Sequence, residues 1–180
     1  MRMLEIRRHT MRRKPGAHLS QQGIELARLV GGQAGPYSLV VTSMVPRAIE
    51  TAIAMGFEVN ETLEALGDLP EDAFAEIGWP RSFAQVAQAM KPDGPAAQFA
   101  QAQARLWRMI AERIPDGQQA LIVSHGLFVE LGTLASLPEV EPATWGGPIG
   151  YCEGIRLTYD GDCRGGEILR VDPALQLIDN

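Results

Sequence analysis

Arg8 and His9 stand side by side near the amino terminus, Arg47 follows the Thr-Ser pair at 42–43, and His125 closes the run ALIVSH. Two guanidinium groups and two imidazoles gathered in one pocket make a poor metal site, because arginine repels cations and no Asp or Glu cluster accompanies them. They make a good phosphate site. A guanidinium is a planar fork of donors that matches phosphate oxygens. A neutral imidazole next to such a phosphate is a competent nucleophile, and adjacent positive charge helps keep it unprotonated. The second imidazole can donate hydrogen bonds to the phosphoryl oxygens as charge builds in the transition state. The expected chemistry is phosphoryl transfer with neither metal nor other cofactor.

These four residues meet only if the chain places them together, and the pattern of the elements predicts that it does. Residues 2–7 read as a short strand leading into Arg8-His9. Ser20 is a candidate N-cap for a helix beginning QQGIELARLV, which Gly31-Gly32 would end. YSLVVTS, residues 37–43, is a β-branched strand, and a helix follows at about 46–55 with Pro46 in its first turn. A further short strand is expected within FEVNETL. The stretch at about 67–117 reads as a small helical insertion, with segments 81–90 and 95–114. Residues 120–125 form an apolar strand, and Gly126 opens a helix to about Leu134. Two late strands, 153–159 and 166–171, are joined by the turn DGDCRGG. This order predicts one α/β domain over 1–180, a three-layer sandwich with a mostly parallel central sheet flanked by helices. In such sheets the site lies beyond the carboxyl ends of the strands. Arg8-His9, Ser43 with Arg47, and Ser124-His125 each follow a predicted strand, so three strand ends converge on one crevice.

Composition narrows the function classes. The chain has 180 residues, 46% hydrophobic and 21% charged, enough to bury an ordinary core. A net charge of −6 argues against a nucleic-acid binder. No apolar run is long enough to cross a bilayer and MRMLEIRRHT has no signal-peptide core, so a cytoplasmic protein without membrane contact is expected. Cys152 and Cys163 are expected to be ordinary thiols. Against the acidic total, Arg2, Arg7, Arg8, Arg12, Arg13 and Lys14 make one basic segment, either a solvated face or an attractor for an anionic ligand.

Taken in order, LEIRRHT, HLSQQGIELAR, VVTSMVPRAIETA and ALIVSHG resemble the motif series of the histidine phosphatase superfamily, the branch with phosphoglycerate-mutase-like enzymes. The resemblance covers most of the chain, least in the helical middle. It implies that His9 is the nucleophile that becomes phosphorylated, that Arg8 and Arg47 hold the phosphate, and that His125 also contacts the phosphoryl group and stabilises the transition state. Thr10 stands where the family usually has Gly; its bulk beside the nucleophile is expected to alter the pocket. The family's Leu-x-Glu proton donor has no strict counterpart. Glu61, Glu64 and Glu71 are candidates, with Glu64 preferred, although each also reads as a solvent-exposed carboxylate. Without a donor, substrates with good leaving groups, such as phosphoramidates or acyl phosphates, would be favoured. Arg12, with Arg13 and Lys14, could hold a second anionic group of the substrate. His18 could line the rim but reads rather as structural, Glu130 could help orient the site but reads rather as a helix-surface carboxylate, and Trp79, Trp107 and Trp145 read as core or cap residues, one of which could wall the pocket.

The implied function is a metal-independent phosphatase acting on a phosphorylated small molecule or phosphoprotein. A mutase that returns the phosphoryl group to its substrate is the alternative, disfavoured by the short chain. A phosphate-binding scaffold without turnover is a third reading. A serine hydrolase on Ser43 or Ser124 is weakest, since no GxSxG surrounds either. Natural substrate and oligomeric state are not legible in the sequence.

Overall fold

The computed structural model describes residues 1–176. Its sheet is built from β1 (Arg2–Arg8), β2 (Leu39–Thr42), β3 (Glu61–Thr62), β4 (Gln119–Ser124), β5 (Gly154–Asp160) and β6 (Asp162–Leu169), in the order β3-β2-β4-β1-β5-β6. The first four strands run parallel; β5 and β6 are antiparallel to their neighbours. The mostly parallel sheet expected from the element order is therefore present. The late hairpin differs from its predicted form: β6 starts at Asp162, and residues expected in a loop are already paired, with only Gly161 at the tip in a left-handed conformation. Antiparallel strands need only a tight turn, and glycine adopts it without a Cβ clash.

Helices cover both faces. On one side α1 (Gln21–Gly31) and α2 (Pro46–Ala54) pack on Leu121 and Val123 of β4. On the other, α3 (Glu71–Ile77), α4 (Phe83–Ala89), α5 (Pro95–Glu112) and α6 (Phe128–Ser136) share a core with Ala120 and Ile122. β4 is thus apolar on both sides, as a central parallel strand must be. A last short helix, α7 (Pro173–Gln176), ends the described chain. Ser20 caps α1 as predicted, its hydroxyl accepting from the Gly23 N–H at 3.1 Å. Within the helical stretch, α5 is a full member of the flanking layer: its Trp107 is wholly buried against α6, where Gly132 leaves room for the indole. No helix among the described residues is long and apolar enough to cross a membrane.

Register decides where the chemistry sits. Arg8 pairs with Ser124 across β1 and β4, so His9 and His125 are the first residues beyond the ladder on adjacent strands. β2 lies on the far side of β4 with Thr42 opposite Val123, so Ser43 emerges at the same level. The chain passes over β4 between β1 and β2, which opens a crevice at this sheet edge.

Candidate active site

His9, His125, Arg8 and Arg47 line one cavity of about 400 Å³. The two imidazole centroids are 5.2 Å apart, and both rings are almost fully buried. His9 Nδ1 lies 2.7 Å from the Thr10 carbonyl, and Arg47 Nε donates to His9 Nε2 at 3.0 Å. A carbonyl can only accept and a guanidinium can only donate, so the proton belongs on Nδ1 and a lone pair on Nε2. Burial first, then His125 and the charges of Arg8 and Arg47, push the His9 pKa well below the ordinary imidazole range. The ring is held neutral with its free lone pair turned toward Arg47.

His125 is organised by the same logic. Arg47 Nη2 approaches its Nδ1 at 3.4 Å and Ser43 Oγ lies 2.8 Å from its Nε2. Burial, then Arg47 and Arg8, lower its pKa to about 3. Arg8 donates from Nη1 to the Ile149 carbonyl at 3.1 Å, and its guanidinium carbon lies 4.1 Å from the Tyr151 ring centroid and 5.4 Å from that of Trp79. Arg47 sits in the first turn of α2, behind Pro46, which needs no N–H partner at that place. The site is therefore a cationic bowl with two neutral imidazoles at its base, suited to a tetrahedral oxyanion.

The remaining walls sort the sequence candidates. Arg12 and Lys14 line the cavity, together with Leu69, Phe74, Trp79 and Tyr151. Arg12 is half-buried and its Nη1 donates to the carbonyls of Pro15 and Gly16, which stiffens the loop it rises from. Other members of the basic segment point elsewhere: Arg7 pairs with buried Glu5 at 2.9 Å, and Arg2 donates to the Ile114 carbonyl. Trp79 is the tryptophan at the pocket; Trp107 and Trp145 are buried in the core. His18 contacts Glu50 of α2 and is exposed.

Several expectations are corrected. Glu64 is not among the cavity's lining residues. It begins the 3-10 turn Glu64–Leu66, which buries Leu66 and leaves Glu64 in solvent. Glu61 is drawn to Arg113 at 2.7 Å, and Glu71 is exposed at the start of α3. Thr10 does not crowd the pocket: its hydroxyl donates to the Gly23 carbonyl at 2.8 Å, tying the loop after His9 to α1. Glu130 is not on a surface. It is wholly buried, and burial raises its pKa to about 7. Sequence reasoning also missed Tyr151, which no motif singled out and which reaches Arg8 because its loop, just before β5, is hydrogen-bonded to the end of β1. A larger cavity of about 640 Å³ between α1 and α2 is chiefly apolar, and its carboxylate, Glu50, is engaged with His18 and the Leu19 N–H.

A model of the histidine phosphatase superfamily (branch 1) matches residues 5–170. A comparison by sequence with curated proteins finds no match. In structure the chain is similar to a phosphoserine phosphatase from Entamoeba histolytica in complex with 3-phosphoglyceric acid (TM-score 0.71, 18% identity, 95% of this chain and 98% of that chain). It is also similar to Bacillus stearothermophilus YhfR (TM-score 0.64, 20% identity, 91% and 95%). A mycobacterial glucosyl-3-phosphoglycerate phosphatase with VO3 is a third such structure (TM-score 0.63, 19% identity, 93% and 97%).

Proposed function

The chain belongs to the histidine phosphatase superfamily, and on that premise we propose that it is a metal-independent phosphatase that cleaves a phosphomonoester or phosphoramidate through a phosphohistidine on His9. The observation that carries this reading is the neutral His9 ring, whose Nε2 lone pair faces Arg47 while Nδ1 is tied to the Thr10 carbonyl. Arg8 and Arg47 hold the non-bridging oxygens; entry of the phosphoryl group transfers the Arg47 fork from His9 to phosphate. His9 Nε2 then attacks phosphorus in line. The P–O or P–N bond to the leaving group breaks, and its electron pair leaves with that group. Water next attacks phosphorus, the P–N bond to His9 breaks, and phosphate departs with one water consumed in all. His125 stabilises the charge on the phosphoryl oxygens.

The substrate we infer is a phosphorylated small molecule, in keeping with the phosphoserine and glucosyl-3-phosphoglycerate phosphatases whose fold it shares. A phosphoprotein is the other candidate. Arg12 is proposed to meet a second anionic group, since it lies on the cavity wall. Glu64 is exposed and absent from the cavity wall, so leaving groups that depart unprotonated are expected to react fastest. The experiment is a burst-and-trap assay with an aryl phosphate in the presence of EDTA, quenched in alkali. Label on His9 with continued phosphate release supports the reading; turnover that survives in His9→Ala overturns it, and a strict metal requirement sinks the metal-free mechanism.

A further inference from the structure

Glu130 sits in the first turn of α6 with no exposed surface, and the chemistry above makes no use of it. Its Oε1 accepts the Ile149 N–H at 2.8 Å, while Oε2 is buried with no partner among the described residues. A half-satisfied buried carboxylate costs folding free energy, and a well-packed apolar side chain would cost less. What the carboxylate holds is therefore the point. The Ile149 carbonyl accepts from Arg8 Nη1 at 3.1 Å, so a single residue separates Glu130 from the guanidinium.

The two residues that follow are fastened in the same way. The Gly150 N–H donates to Glu153 Oε2 at 2.8 Å. The Tyr151 N–H donates to Gln176 Oε1 at 2.9 Å, and Gln176 returns a bond to the Tyr151 carbonyl at 2.7 Å. Three successive N–H groups thus each end on a side-chain oxygen: one from α6, one from the same loop just before β5, and one from α7. The segment so anchored grips Arg8 twice, through the Ile149 carbonyl and through the Tyr151 ring. A guanidinium on a long side chain has many rotamers, and a phosphate ligand gains affinity when its rotamer is set in advance.

We propose that Glu130 is a positioning residue, which by holding the Ile149 N–H sets the carbonyl that orients Arg8 toward phosphate. This rests on the reading of Arg8 as a phosphate ligand. Calorimetric binding of inorganic phosphate to the wild type, Glu130→Leu, Arg8→Ala and the double variant separates the two. Glu130→Leu fills the same space without an acceptor and is expected to weaken phosphate binding about tenfold, the scale of one lost charged hydrogen bond. In the Arg8→Ala background the same change should add less than about a twofold effect, because residues that act as a unit are not additive. Full additivity overturns the positioning role alone. Unchanged binding in Arg8→Ala overturns the assignment of Arg8, and this proposal with it. Should Glu130→Leu not fold, Glu130→Gln carries the test: its amide oxygen can still accept from Ile149, so binding should stay within about twofold of wild type. A tenfold loss there would show that charge, not the anchoring bond, is what matters, and would overturn the proposal.

Discussion

At the scale of single residues, protonation states are set by what each nitrogen faces. His9 has an acceptor at Nδ1 and a donor at Nε2, in a buried and cationic place. Long-range 1H–15N spectra at pH 5 should show His9 neutral with its proton on Nδ1; an imidazolium signal for His9 at that pH would overturn this. Ser43 has a subtler part. A guanidinium can only donate, so the Arg47 approach makes His125 Nδ1 the acceptor; the ring proton belongs on Nε2, and the Ser43 hydroxyl oxygen accepts from it. Ser43→Ala is therefore expected to lower kcat/KM for an aryl phosphate by about tenfold, one hydrogen bond's worth. An unchanged kcat/KM would remove Ser43 from the mechanism.

At the scale of elements, the loop after His9 depends on how closely α1 can approach it. A Cβ at Gly23 would lie 2.1 Å from the Met11 carbonyl oxygen, a backbone atom that cannot swing away. The same contact carries the bonds from Thr10 to the Gly23 carbonyl and from the Ser20 N–H to the Met11 carbonyl. Gly23→Ala should cost about 1–3 kcal/mol, the usual range for overpacking, measured by urea denaturation; a change below about 0.5 kcal/mol would show that α1 shifts freely. Gly126 is a softer case. A Cβ there would meet the Trp79 indole at 2.5 Å, and this ring is a half-buried wall of the pocket. Gly126→Ala is expected to displace the indole and raise KM severalfold more than it lowers kcat; an unaltered KM would mean that Trp79 does not touch substrate.

At the scale of the whole molecule, buried ionisable groups give stability its pH dependence. His9 and His125 have folded pKa values below their unfolded values, so the unfolded chain binds more protons in that window. Their contribution is complete above the unfolded value of about 6.5 and is lost as pH falls toward the folded one. Glu5 acts in the same direction at lower pH. Burial raises its pKa, but Arg7, Tyr37 and Arg156 together hold it below the ordinary carboxylate value, so its contribution is lost as pH falls. Glu130 acts oppositely: with a folded pKa raised to about 7, it favours folding below that pH and loses this contribution as pH rises toward it. Two histidines against one carboxyl leave a net rise in stability from pH 5 to pH 6.5, measurable by urea denaturation; a fall over that range would mean that at least one histidine is charged in the folded protein. Charge also matters at long range. The chain is acidic overall, with a net charge of −6, yet the cavity around His9 and His125 is cationic, so phosphate binding there is expected to weaken as salt is added.

The sequence by itself determined the strands that end at Thr42 and Ser124, because apolar β-branched runs bounded by polar residues have few alternatives, and it placed a short strand before Arg8-His9. It also determined the cap of α1, the placement of Arg8, His9 and His125 at strand ends, and that of Arg47 in the first turn of the helix after β2, since these follow from local chemistry. The tertiary structure decided the rest. Whether a carboxylate such as Glu64 or Glu130 faces solvent, core or pocket depends on which side of its turn or helix other elements cover, and spacing does not encode that. Tyr151 reached Arg8 from more than a hundred residues away through a loop with no motif. Thr10, beside His9 in sequence, turned its side chain to α1 because an acceptor waited there. Local propensity acts over a few residues, whereas the environment of a polar side chain is set by long-range packing, which forms only when the whole sheet and both helical layers are in place.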